Sequence, residues 1–250
     1  RVRVKAVDET LLIDAAGAGA GGGTAGVGAA ANVGVIAKTT TAKIGKKATV
    51  KAKKAVELDA ASSDVSVAVT FGAAGGGSAG VGGSVAGVGV ANTTQAIIED
   101  ATSVADAAKV SVSGGDLEVS ANEFSSAWQA TGAGAGGGAA GVGVSLAVGV
   151  NASTTKAKIG DYAETNASGT TSVHADSVEN LNTVTVAGAG GGSAGVAGTI
   201  AASVVVSHTE AGIGKHAKVN QDNSFTNAAQ SVDVKATDRV VTVNASGAGA

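Results

Sequence analysis

The sequence predicts an all-β repeat fold, a parallel β-solenoid, and three observations carry that prediction. A glycine-rich block recurs along the chain, the apolar residues between blocks alternate with a period of two, and the composition lacks what an irregular globular core needs. The blocks are GGGTAGV from Gly21, GGGSAGV from Gly75, GGGAAGV from Gly136 and GGGSAGV from Gly190, spaced by 54, 61 and 54 residues. Self-similarity at such periods is the signature of stacked repeat architectures. Gly247-Ala248-Gly249-Ala250 matches Gly17–Ala20 and Gly132–Ala135, as though a fifth block were beginning. The unit is therefore a pair of half-units, 115 residues long, with half-units beginning near 17, 71, 132 and 186. At that shift Val2, Val4 and Ala6 fall on Leu117, Val119 and Ala121, then on Val232, Val234 and Ala236. Residues 1–250 are expected to form one continuous repetitive rod without a separate globular domain, an excerpt of a longer pattern.

After each block comes a long strand. Counting from its first glycine, one parity holds Val27, Val81, Val142 and Val196, then Ala31, Val85, Leu146 and Ile200. The other parity holds small residues, including Gly28, Gly82, Gly143 and Ala197. Alternate residues of a strand face opposite sides, so one face is aliphatic and the other very small. Both faces are expected to be buried, the small one against a closely approaching layer. Each strand runs into a threonine stretch (Thr39–Thr41, Thr93-Thr94, Thr154-Thr155, His208-Thr209), and Gly45, Gly160 and Gly214 then mark turns. Val56-Glu-Leu58-Asp-Ala60 and Val65-Ser-Val67-Ala-Val69 read as shorter strands with their charge on the wet face. The half-units divide into coils of about 18–20 residues, giving roughly thirteen rungs and a rod about 60 Å long at the usual strand spacing. A right-handed parallel β-helix is the first expectation; a silk-like stacked β-sandwich is the alternative.

Composition agrees. The chain has 40 Gly, no Pro, no Cys, no Met, and five aromatic residues, Phe71, Phe124, Trp128, Tyr162 and Phe225. Val, Ala and Gly suit flat, closely spaced layers better than irregular volumes. An apolar fraction of 44% with net charge −3 is compatible with burial and points to no nucleic-acid partner. Without Cys there is neither a disulfide framework nor a thiolate metal site.

The stretch TGAGAGGGAAGVGVSLAVGVNASTTKAKIGDYA, from Thr131 to Ala163, resembles the repeats of large filamentous adhesins. These are the adhesins related to filamentous haemagglutinin and, more closely, the leukotoxin-type filamentous adhesins, whose repeats resemble AGGGxAGVG, an alternating strand and TxAxIG. The resemblance covers all four half-units, with the best matches at 17–60 and 132–163. It implies a secreted β-helical stalk at the bacterial cell surface, exported by a two-partner or autotransporter (type V) route. It also implies self-association into fibres or bundles, and engagement of a host or neighbouring-cell receptor through regions outside this stretch.

The residues of ordinary site chemistry are scattered. His174, His208 and His216 stand apart without partners at catalytic or metal-ligand spacing, and no nucleophile-elbow motif accompanies the many serines. Gly17-Ala-Gly19-Ala-Gly21 leads into a strand rather than a helix, so it is no dinucleotide fingerprint. No calcium-binding run contains Asp100, Asp106 or Asp116. Lys43, Lys46, Lys47, Lys51, Lys53 and Lys54 form a basic cluster that the second unit does not repeat. Catalytic, cofactor and metal sites are all expected to be absent. Four charge-free segments, 15–37, 65–98, 124–155 and 180–207, keep open a second possibility, the repeat region of a secreted membrane-active toxin. An ice-binding rank of threonines is disfavoured because the clusters would occur on only every third rung.

Overall fold

The computed structural model describes all residues, 1–250. Strands β1 (Val2–Gly22), β2 (Ala25–Ile44) and β3 (Thr49–Ala52) make the first coil. The second contains β4 (Ala55–Gly76), β5 (Ala79–Ile98) and β6 (Lys109–Val112). The third contains β7 (Asp116–Gly137), β8 (Ala140–Ile159) and β9 (Glu164–Ala167). The fourth contains β10 (Thr170–Gly191), β11 (Ala194–Ile213) and β12 (Lys218–Val219), and β13 (Ser231–Gly249) opens a fifth. Equivalent strands stack in parallel as three sheets, β1-β4-β7-β10-β13, β2-β5-β8-β11 and β3-β6-β9-β12. The protein is a parallel β-solenoid without an α-helix.

The coil is much larger than the sequence led us to expect. Val2 pairs with Val56, Val56 with Leu117, Leu117 with Thr171 and Thr171 with Val232, so one coil is a whole half-unit. The expected subdivision into short rungs fails because the glycine block is a reversal between two long strands. At Gly23-Thr24, Gly77-Ser78, Gly138-Ala139 and Gly192-Ser193 the chain folds back on itself. A β-carbon at Gly22, Gly76, Gly137 or Gly191 would overlap the carbonyl oxygen of Ala25, Ala79, Ala140 or Ala194, so the bend requires glycine. Each coil is thus a flat blade about 65–70 Å long at ~3.3 Å per residue, and the four stacked intervals span only ~19 Å of axis.

At the other end of the blade the chain turns at Gly45, Gly160 and Gly214, as the sequence indicates. The next-but-one residue, Lys47, Tyr162 or His216, adopts a left-handed backbone with φ of 60°, 60° and 56°. The second coil, with Glu99-Asp100 in place of the glycine turn, instead takes a longer path through the 3-10 turn Val104–Asp106. Three sheets enclose an aliphatic core there, built on Ile44, Val56, Leu58, Val110, Leu117 and Val173 among others. Toward the glycine bend only two sheets face each other. A small apolar patch around Ile36, Val88, Val90 and Leu181 lies between them, and beyond it come buried Ser and Thr side chains such as Ser84, Thr131 and Ser145, then Gly and Ala.

Candidate functional site

The small face lies where the sequence places it, but its aliphatic opposite is not buried. Gly28, Gly82 and Gly143 point inward, and a β-carbon on each would overlap the carbonyl oxygen of Ala73, Gly134 and Gly188 in the facing sheet. Sheets usually stack about 10 Å apart across interdigitating side chains. Here glycine lets backbone meet backbone, so no volume remains for the Val, Leu and Ile of the other parity. They project outward: Val33 is 72% exposed, Val35 69% and Ile200 61%.

The five-stranded sheet does the same. Val56, Leu58 and Ala60 of β4 point inward, whereas Val65, Val67, Val69 and Phe71 of the same strand point outward. Leu11, Ile13, Phe124, Trp128, Val186 and Val243 join them on that outer face. The glycine-rich half of the blade is therefore apolar on both outer surfaces, and large exposed apolar patches mark contact sites for protein or membrane.

Between the aliphatic core and the glycine zone runs a buried polar seam. Asp64 is 1% exposed, Glu123 3% and Glu179 0%, each on the inward face of its strand. Lys38 reaches across from β2 to Asp8 Oδ1 at 3.1 Å and Asp64 Oδ1 at 2.6 Å. Asn92 donates to Asp64 and, at 3.2 Å, to Glu123 Oε1, while the Thr155 hydroxyl donates to Glu123 Oε2 at 2.7 Å. Ser153, Ser177 and Ser207 all donate to Glu179 Oε1. Burial pushes the Glu123 carboxyl above its ordinary range, opposed by its hydrogen bonds from Thr155 and Asn92 and reinforced by Glu179 and Asp64. Glu123 and Glu179 lie 115 residues beyond Asp8 and Asp64, where the repeat has replaced Lys38 and Asn92 by Ser153 and Ser207.

The charged end of the blade is laced from coil to coil. Arg3 meets Glu57, Lys43 meets Glu99, Lys47 meets Asp106, and Glu164 lies between Lys109 and Lys218. Lys43 and Lys47 of the basic cluster are thus paired, while Lys51 projects to solvent from β3 and Lys46, Lys53 and Lys54 do so at the turns. Asp100 meets Lys158 at 2.6 Å and accepts from the Asp161 backbone, and Asp116 accepts from the Thr170 backbone. His174 lies 2.9 Å from Asp233, His208 lies 3.7 Å from Glu210, and His216 packs on Tyr162 with ring centroids 4.8 Å apart. These residues stay dispersed, and no group of three His, Asp or Glu is arranged to hold a metal ion.

No family model, curated protein or solved structure matches this chain. The geometry alone distinguishes its surfaces. Because the coil is a half-unit, an outward Thr39, Thr93 or Thr154 occurs on each of three successive coils, with His208 on the fourth. This corrects the expected spacing of one threonine per three rungs. The column beside it reads Thr41, Gln95, Lys156 and Glu210, so no second threonine rank forms. The outer apolar faces, 11–37 and their equivalents in later coils, are the surfaces equipped to bind something.

Proposed function

We propose that this chain is a structural stalk segment of a secreted bacterial surface filament, giving a stiff fibre for attachment or cell–cell contact. One observation carries the proposal: the sequence repeat and the coil coincide, so all three sheets continue in register from one half-unit to the next. Such an array lengthens by simple addition, each coil covering the edge of the previous one. Every 115-residue unit adds two strand spacings, about 10 Å. The resemblance of the Thr131–Ala163 pattern to filamentous adhesin repeats supplies the extracellular setting and the type V export route. Receptor contact belongs to other parts of such a protein.

Immunogold electron microscopy with antibodies to this chain tests the proposal. Label along surface fibres, together with an axial repeat near 10 Å in purified fibres, is the expected result. Label confined to the cell interior would overturn it.

The double-sided apolar blade favours a second function, a membrane-active repeat region. Its interior argues against deep insertion, because the Asp64–Glu123–Glu179 seam would enter with it. Dye release from liposomes on adding the chain would move that function to the front.

A further inference from the structure

The outer face of the four-stranded sheet has relief as well as hydrophobicity. On β5 three outward positions are glycine, Gly83, Gly87 and Gly89. Their register partners on β8 are Val144, Val148 and Val150. On the other side Val33 and Val35 of β2 stand beside Gly87 and Gly89. β5 is therefore low at these three positions, with Val81 and Val85 standing between and beside them, and β8 is the ridge next to it. No charged residue interrupts this face from Ala25 to Ala37 or at the equivalent positions of the later coils.

A two-fold axis running along the strands, midway between β5 and β8, lays this face on a second copy of itself. It puts β5 over β8 of the partner and β2 over β11. Each trough glycine then receives a ridge valine: Gly83 takes Val144, Gly87 takes Val148 and Gly89 takes Val150. On the flanking strands Ala31 lies against Ile200 and Val33 against Ala202, while Val27 meets Val196, Val35 meets Val204 and, on the central strands, Val85 meets Leu146 as aliphatic contacts. Both halves of the contact form at once, as an isologous interface requires. Four strands at ~4.8 Å and the stretch from Ala25 to Ala37 at ~3.3 Å per residue give ~800 Å² per copy, the size of a standard stable interface.

We infer that the chain pairs laterally with a second copy of itself through this face, the β8 ridge of each copy seated in the β5 trough of the other. The inference rests on the self-associating filament proposed above and names the surface that would bundle it. It also gives the outward aliphatic residues of β2, β5, β8 and β11 a burial that the solenoid itself denies them.

Sedimentation equilibrium of the full chain from 1 to 100 µM, compared with two variants, tests the inference. The wild type is expected to be dimeric within that range. A β-carbon at Gly87 comes no nearer than 3.6 Å to a Val33 methyl and 4.0 Å to the Val148 carbonyl oxygen, and one at Gly89 no nearer than 3.8 Å to a Val35 methyl, so Gly87→Val with Gly89→Val fills the trough without disturbing the coil. That variant should keep the wild-type circular dichroism and melting curve and associate at least tenfold more weakly. Adding Val148→Gly and Val150→Gly exchanges ridge and trough and should restore association. A wild type that stays monomeric, or a filled trough that associates as well as wild type, overturns the inference. So does a monomer that floats with phosphatidylcholine vesicles, since lipid would then be the occupant. Single unpaired blades on surface fibres would remove this inference and leave the stalk standing; pairing by a protein found only inside the cell would do the reverse.

Discussion

Replacing Gly143 by alanine adds one methyl group where the backbones of the two large sheets meet. That methyl would overlap the Gly188 carbonyl oxygen, a backbone atom held by strand pairing on both sides. No rotamer relieves the overlap, so the sheets must part locally. The same pinch recurs at Gly82 and Gly28 one and two coils below, so opening it at one coil strains its neighbours. Overpacking of this kind costs ~1–3 kcal/mol, and a backbone obstacle places this case at the upper end. Loss of a glycine from the unfolded chain returns ~0.5–1 kcal/mol, leaving a net destabilisation of ~2 kcal/mol. Gly198 is the internal control. It lies on an outward position of the same four-stranded sheet with open space where its β-carbon would go, so Gly198→Ala should stabilise by ~0.5–1 kcal/mol. Urea titration followed by far-ultraviolet circular dichroism measures both. If Gly143→Ala is as stable as wild type, or the two variants shift alike, backbone-to-backbone packing is not what glycine provides here.

Three further outcomes follow from the seam and the turns. Lys38→Ala strips the cation from the 1%-exposed Asp64 and should destabilise by ~3–5 kcal/mol, with Asp64→Asn recovering much of the loss; a change under 1 kcal/mol in chemical denaturation would refute the buried pair. Because burial raises the Glu123 carboxyl, its contribution to stability is full below the unfolded value near ~4.3 and is lost as pH rises through the native one. Glu123→Gln, which keeps an oxygen to accept from Asn92 and removes the buried charge, should therefore raise the melting temperature at pH 7 by ~2–4 °C, and the difference should vanish toward pH 4; a lower melting temperature at pH 7 contradicts the assignment. Lys47→Gly relieves a left-handed backbone at the expense of an exposed ion pair with Asp106, and a net gain of up to ~1 kcal/mol is expected in the same urea assay, a clear loss being the contrary result.

Period, parity and turns were legible in the sequence because strands report their faces directly. The 115-residue repeat became the two-coil register, Gly143 and its equivalents became the inner layer, and Gly45, Gly160 and Gly214 became turns. What misled was a change of parity inside a single strand. In β4 the aliphatic residues are even-numbered up to Ala60 and odd-numbered from Val65. Two short strands, each with its apolar side inward, explain that pattern as well as one long strand whose apolar side changes from core to surface. Only pairing to β1 and β7 along its whole length decides for the second. The same continuity carries Asp64 inward, since it shares parity with Val56 and Leu58. Parity counted through the strand, without a break at residues 61–64, would have found the polar seam.

The carboxylates of that seam also account for a repeat of two coils where one would stack just as well. In register, one inward column reads Asp8, Ser62, Glu123, Ser177 and Asp238, and the next reads Thr10, Asp64, Ser125, Glu179 and Val240. Acids and short hydroxyl residues thus alternate as on a checkerboard. A one-coil repeat would stack like charges directly above one another at ~4.8 Å, repelling by ~3.5 kcal/mol at an effective dielectric of about 20. Staggering neighbours by two residues lengthens the separation to ~8 Å and lowers the repulsion to ~2 kcal/mol for each adjacent pair. The outer surface follows this alternation over three coils, with Val33 and Val35 on one, Gly87 and Gly89 on the next, then Val148 and Val150; the fourth keeps it at Ala202 and loses it at Val204. An array with identical coils would have neither trough nor ridge. Doubling the repeat therefore eases the charge stacking inside the solenoid and supplies the relief outside it.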